Sequence, residues 1–204
     1  MSAEFAARRV ATEGGALAYA EAGKGEAIIV IGDSATPAPA HALLATDRRV
    51  IVLAPCDAET TPQSYARRIA TALETMGLAR FDVMGQGAGS EAALWLGLAR
   101  PAATGAIVLA APTALTGRDM GLEGRLGDMK RPVLALFGTN DRTAPPEEGG
   151  RYRTLLPDCH LMFVYESGHD IAADRPEALA FIAREFFERR DLFLVSRASG
   201  LAFP

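Results

Sequence analysis

The stretch Phe81-Asp82-Val83-Met84-Gly85-Gln86-Gly87-Ala88-Gly89-Ser90 decides how the rest of the chain is read. Phe81 to Met84 is a short run of buried-strand type, and the glycines at 85, 87 and 89 break it sharply. Ser90 to Ala99 follows as a mostly apolar helix closed by Arg100-Pro101, since proline cannot continue the hydrogen-bond ladder. A buried strand turning directly into a buried helix is a unit of a parallel sheet with helical crossovers.

On the N-terminal side, Arg8 to Glu13 and Ala16 to Glu21 read as a hairpin about Gly14-Gly15. Ala27 to Ile31 and Arg49 to Leu53 are further buried strands, separated by the polar loop Gly32 to Pro39. Pro62 to Gly77 predicts a helix, with proline near its start, Ile69, Leu73 and Met76 at helical spacing, and Gly77 at its end. On the C-terminal side, Ala106 to Ala110, Val133 to Phe137 and Leu161 to Tyr165 read as strands. Glu147 to Leu156 and Pro176 to Arg190 read as helices. The expectation is one α/β domain over residues 1–190: a mostly parallel, doubly wound sheet of about eight strands, opened by an antiparallel hairpin. A tail, 191–204, follows. Its Leu192 to Val195 run should dock on its own domain rather than on a second subunit, with a homodimer left open.

Of the 204 residues, 49% are hydrophobic and the net charge is −4, which fits a globular chain and argues against a nucleic-acid partner. Arg48-Arg49, Arg67-Arg68 and Arg189-Arg190 are isolated pairs, read as solvated faces. Met1 to Val10 already carries Glu4, Arg8 and Arg9, and no stretch reaches the ~20 apolar residues of a membrane span. No membrane partner is expected, and the cytoplasm is the default location. Cys56 and Cys159 lie far apart in sequence with no metal-ligand spacing, so free thiols, no metal and no cofactor are expected.

Chemistry in an open α/β sheet belongs at the carboxyl ends of its strands. The loops placed there are Gly32-Asp33-Ser34, Gly85 to Gly89, Gly138-Thr139-Asn140-Asp141 and Gly168-His169. Here a resemblance enters. Phe81 to Ser90 looks like the strand, elbow and helix of the α/β-hydrolases, whose signature is G-x-S-x-G. Arg131 to Asp141 resembles that family's segment ending in the catalytic acid. Glu166-Ser167-Gly168-His169, followed by Asp174-Arg175-Pro176-Glu177, resembles the segment bearing its histidine. Gly14 to Gly32 resembles the first hairpin and the strand before the oxyanion loop, so the likeness runs over residues 8–190. It implies the α/β-hydrolase fold, with Gly87 at the nucleophile position and Asp141 and His169 as acid and base. The Ala88 amide and one from Gly32 to Ser34 are the implied oxyanion donors. Two departures stand out: the elbow residue is glycine, and only residues 111–130 lie where most members insert a cap.

Glycine offers no oxygen or sulfur, so the acyl-enzyme route is closed at Gly87. Asp141 can still orient His169 as a general base, and backbone amides survive any substitution. Ser34 is a candidate recruited nucleophile. Gly32-Asp33-Ser34 and Gly138-Thr139-Asn140-Asp141 echo the GDSL (SGNH) hydrolases, but the D-x-x-H block of that family is missing, and a loop-capping role is preferred. Gln86 should bond the neighbouring loop in preference to a ligand. Ser90 is read as a helix N-terminal residue, Cys56 as an unreactive thiol, His41 and His160 as structural or surface residues, and Trp95 and Leu98 as core. Glycine also relieves the strained backbone of such an elbow, which is what loss of catalysis would favour. Three readings follow. The leading one is a non-hydrolytic member binding a small ester- or acyl-like ligand or a protein partner at an open site. The second is an Asp141–His169 enzyme, whether hydrolytic, lyase-like or cofactor-free. The third is a residual or Ser34-based esterase.

Overall fold

The computed structural model describes residues 3–13, 15–55, 60–113, 121–190, 193 and 201–202. The hairpin is β1 (Ala6–Thr12) and β2 (Gly15–Ala22), followed by β3 (Ala27–Ile31), α1 (Pro39–Leu44) and β4 (Arg49–Leu53). Next come α2 (Pro62–Thr75), β5 (Phe81–Gln86), α3 (Gly89–Ala99), β6 (Thr104–Ala110), a 3-10 turn at Glu123–Asp128 and β7 (Val133–Gly138). The chain ends through α4 (Gly149–Leu155), β8 (Cys159–Val164), α5 (Ile171–Asp174), α6 (Pro176–Arg189) and β9 (Leu201–Ala202). Strand order is β1-β2-β4-β3-β5-β6-β7-β8-β9. The pairs β1–β2 and β2–β4 are antiparallel and all others parallel, as expected for a doubly wound sheet behind a hairpin.

Both faces of the sheet are covered, which explains why its central strands are continuously apolar. With the period of two, Ile29, Ile31, Ile51, Leu53 and Val83 face one core with α2 and α3. Ile28, Val30, Val50, Val52 and Met84 face the other with α1 and α6. Thr61 caps α2 by accepting from the Ser64 amide, and Pro62 occupies its first turn. Residues 89–97 of α3 are all buried, matching its lack of a polar face. After β3 the chain winds to β4 on one side, then crosses to β5 on the other. The loops after β3 and β5 therefore part at the switch point, where such sheets hold their sites.

Three details differ from expectation. Helices α1 and α5 are too short to carry a periodic signal, and they stand in stretches to which the sequence assigns no element. The sheet gains a two-residue ninth strand from the tail, parallel to β8. Arg48 is not on a solvated face: it is buried, 2.8 Å from Glu26 and 3.5 Å from the buried Asp82 carboxylate. Arg190 reaches the same group at 3.7 Å, and the Ala106 amide donates to it at 2.9 Å. A carboxylate placed inside a strand demands such partners. Burial still dominates, pushing Asp82 up to about 6 against the pull of Arg190, the Ala106 amide and Arg48.

Phe193 packs edge-on against Phe186 and His160, so His160 serves the fold of this chain, while the rest of the Leu192 to Val195 run lies outside the described residues. Burial pushes the Cys159 thiol up to about 12, far from a reactive range. Cys56 lies outside the described residues. No helix among the described residues is long and apolar enough to cross a membrane.

Candidate active site

At the carboxyl edge of the sheet, the end of β7 meets the loop before α5. The contact is backbone to backbone: a β-carbon on Gly138 would stand 2.3 Å from the Gly168 carbonyl oxygen and 2.4 Å from that of Ser167. Only glycine permits this approach. The Asn140 amide donates to the Ser167 carbonyl at 2.9 Å, the Glu166 amide to Thr139 Oγ1 at 3.1 Å, and the Gly168 amide to Asp174 Oδ2 at 2.8 Å. So pinned, His169 Nδ1 lies 2.9 Å from Asp141 Oδ2. The other oxygen, Asp141 Oδ1, accepts from the Thr143 and Ala144 amides at 2.7 and 3.0 Å. The Asp141 side chain is fully buried, whereas His169 is 32% exposed. A carboxylate partner assigns the proton to Nδ1, leaving Nε2 as the acceptor that faces outward.

Nε2 looks toward the turn between β5 and α3. Gly87 sits there at φ +52°, donating to the Ala110 carbonyl at 3.1 Å and accepting from the Ser90 amide at 3.2 Å. Tyr152, buried beneath, donates to the Thr113 carbonyl at 2.5 Å and so holds the segment after β6 against this turn. A β-carbon on Gly87 would lie 3.3 Å from His169 Nε2, as an elbow side chain would. It would also lie 2.2 Å from Asp33 Oδ2. The space is therefore not empty: a carboxylate from the loop after β3 fills it. Asp33 is exposed and makes no hydrogen bond or ion pair among the described residues.

The remaining candidates occupy different places. The Ala88 amide, at the cap of α3, has no hydrogen-bond acceptor among the described residues. Gly32 packs on Gln86, whose Oε1 would be 3.2 Å from a β-carbon there. Behind it, His41 is buried, with Nδ1 accepting from the Ala38 amide at 3.0 Å. Burial drives His41 down to about 4, only partly offset by the Gln86 side chain and the Asp170 charge. Ser34 is exposed and its Oγ accepts from the Thr36 amide at 3.0 Å, a turn-capping contact. Ser90 and Trp95 are buried, and Leu98 packs against the same core. No group of three His, Cys, Asp or Glu among the described residues is arranged to hold a metal ion.

A cavity of about 370 Å³ opens beside the turn. Gly32, Asp33, Ala88 and Thr113 form its near wall, and Ile31, Pro55, Pro62, Tyr65, Ala92 and Glu91 lie among its other lining residues. The charged groups among its described lining residues, Asp33 and Glu91, are both carboxylates. Sequence reasoning placed the Gly32 to Ser34 loop at the site for its amides and missed its one charged side chain, Asp33. The available signal was position alone, a carboxylate directly after a central strand at the switch point.

No family model and no curated protein matches the chain in sequence. Solved structures match in fold. The naproxen esterase of Bacillus subtilis superposes with a TM-score of 0.78 at 13% identity, covering 91% of this chain and 92% of that one. CarC, a serine hydrolase involved in carbazole degradation, gives 0.77 at 18% identity over 91% and 99% of the two chains. A thermophilic esterase from Thermogutta terrifontis gives 0.76 at 14% identity over 90% and 98%. Identities this low speak for shared architecture alone. Hairpin, parallel order and superposition agree that the chain has the α/β-hydrolase fold.

Proposed function

We propose that this protein is a capless α/β-hydrolase-type enzyme, without a nucleophile at its elbow residue Gly87, that uses the Asp141–His169 pair as a general base. The observation carrying this reading is the 2.9 Å contact between His169 Nδ1 and Asp141 Oδ2, with Nε2 turned to the space above Gly87. A pair kept only for stability has no reason to leave Nε2 free and partly exposed at the switch point. The substrate is a small neutral electrophile held in the 370 Å³ cavity, and His169 takes a proton from the water that releases product. The unpaired Ala88 amide, at the N-terminus of α3, stabilises negative charge as it develops.

The test is turnover of a panel of small chromogenic electrophiles, p-nitrophenyl esters and 4-nitrobenzyl halides, by wild type and His169→Gln. His169-dependent turnover supports the reading. Equal, background-level rates across the panel with tight binding of one member would instead favour a ligand-binding role. The unpaired Ala88 amide beside an accessible cavity is the feature that would serve such a role.

A further inference from the structure

Asp33 is the part of this site that an elbow-centred reading leaves without a task. Its Oδ2 and His169 Nε2 approach one point from opposite loops, 2.2 and 3.3 Å from where a β-carbon of residue 87 would stand. The carboxylate is tied down by no hydrogen bond or ion pair among the described residues and forms part of the cavity wall. An oxygen in the elbow side chain's place, next to the base, with glycine making the room, is a displaced nucleophile in geometric terms.

We propose that Asp33 is the nucleophile of this site, supplied across the crevice by the loop after β3, and that its substrates carry a good leaving group on saturated carbon. The substrate class follows from the nucleophile. A carboxylate's conjugate acid has a pKa near ~4, so on an ester carbonyl Asp33 would be expelled before an alkoxide. At a carbon bearing halide or sulfonate, the order reverses. Oδ2 bonds to that carbon, and the leaving group departs with the electron pair of the broken bond. The alkyl ester left on Asp33 is then hydrolysed: His169 Nε2 takes a proton from water, and the hydroxide attacks Asp33 Cγ. The bond from Cγ to the alkyl oxygen breaks, and that oxygen collects the proton from His169. One molecule of water is consumed, an alcohol and the acid of the leaving group are formed, and Asp33 retains one oxygen from water. Electrostatics agree with this assignment. The negative charge on Asp33 opposes an oxyanion forming beside it, but is itself discharged when a carboxylate displaces an anion.

The second step rests on the general-base reading; the first does not. The probe is 4-nitrobenzyl bromide with the full-length chain, read by peptide mass mapping. In His169→Gln, the 4-nitrobenzyl ester should accumulate on Asp33 at least about tenfold faster than on an exposed carboxylate such as Glu188, because the cavity orients the reagent. In wild type, turnover in water enriched in oxygen-18 should leave label in the peptide containing Asp33. Asp33→Asn, an exposed substitution with no bond to lose, should abolish both signals while the fold persists. Alkylation of Asp33 no faster than Glu188, or label confined to the released alcohol, overturns the proposal. Equal accumulation of the Asp33 ester in wild type and His169→Gln supports the nucleophile and instead refutes the general base.

Discussion

Asp33 Oδ2 occupies the space that a side chain on Gly87 would need, 2.2 Å from the position of its β-carbon. Gly87 is what leaves room for it. Its left-handed φ of +52° suits glycine, and its missing side chain admits a carboxylate from another strand end. The two residues lie far apart in sequence and meet because β3 and β5 are neighbours in the sheet.

Asp141→Asn tests how His169 is oriented. Asparagine keeps an acceptor for the Thr143 and Ala144 amides but offers an N–H toward His169, which turns the imidazole to the wrong tautomer. Any His169-dependent turnover should fall by about 10²–10⁴-fold, with the melting temperature little changed. Steady-state rates and thermal melts of the same preparation check both halves.

Asp82 lowers stability as pH rises through the acid range. Its folded pKa, about 6, is raised from 3.8, so the stability of its neutral form is fully present below 3.8 and is lost as pH rises through 6. The change amounts to up to about 3 kcal/mol for a shift of this size. Asp82→Asn should remove this contribution, so that stability rises more steeply between pH 4 and 7 than in wild type, where His41 pulls the opposite way; Arg48→Met should deepen the Asp82 contribution by removing a charge that favours the ionised form, both read in denaturant titrations.

His41 acts over the same pH range with the opposite sign. Its folded pKa, about 4, is depressed from 6.5, so the stability of the neutral ring is present above 6.5 and is lost as pH falls toward 4. His41→Asn keeps an acceptor for the Ala38 amide without a titrating group. It should remove about 3 kcal/mol of acid sensitivity over that range, measured by urea midpoints at pH 4 and 7.

Much of this architecture was legible because strands buried on both faces write themselves as apolar runs. Ala27 to Ile31, Arg49 to Leu53 and Val133 to Phe137 needed no partner to be recognised. Asp141 and His169 were found through the segments around them, and the backbone approach at Gly138 supplies the physical reason they meet. What stayed hidden depends on contacts between distant elements. Arg48 read as a surface charge because its buried partner, Asp82, sits on another strand. Asp33 read as a loop residue because nothing near it in sequence reveals that it points at position 87. Helix α1 is six residues long, too short for periodicity to separate it from a loop.

The central claim is that Asp33 has taken the place of an elbow side chain, and a double substitution tests it most directly. The measurement is the initial rate of p-nitrophenyl acetate hydrolysis by wild type, Gly87→Ser, Asp33→Ala and the Asp33→Ala/Gly87→Ser pair. A serine introduced alone competes with the Asp33 carboxylate, the free end of an exposed side chain, for the space beside His169 Nε2. Removing both obstacles should therefore raise the rate at least about tenfold above either single variant, a clear departure from additivity. Equal rates for Gly87→Ser and the double variant would show that Asp33 does not hold that space, and would contradict the account.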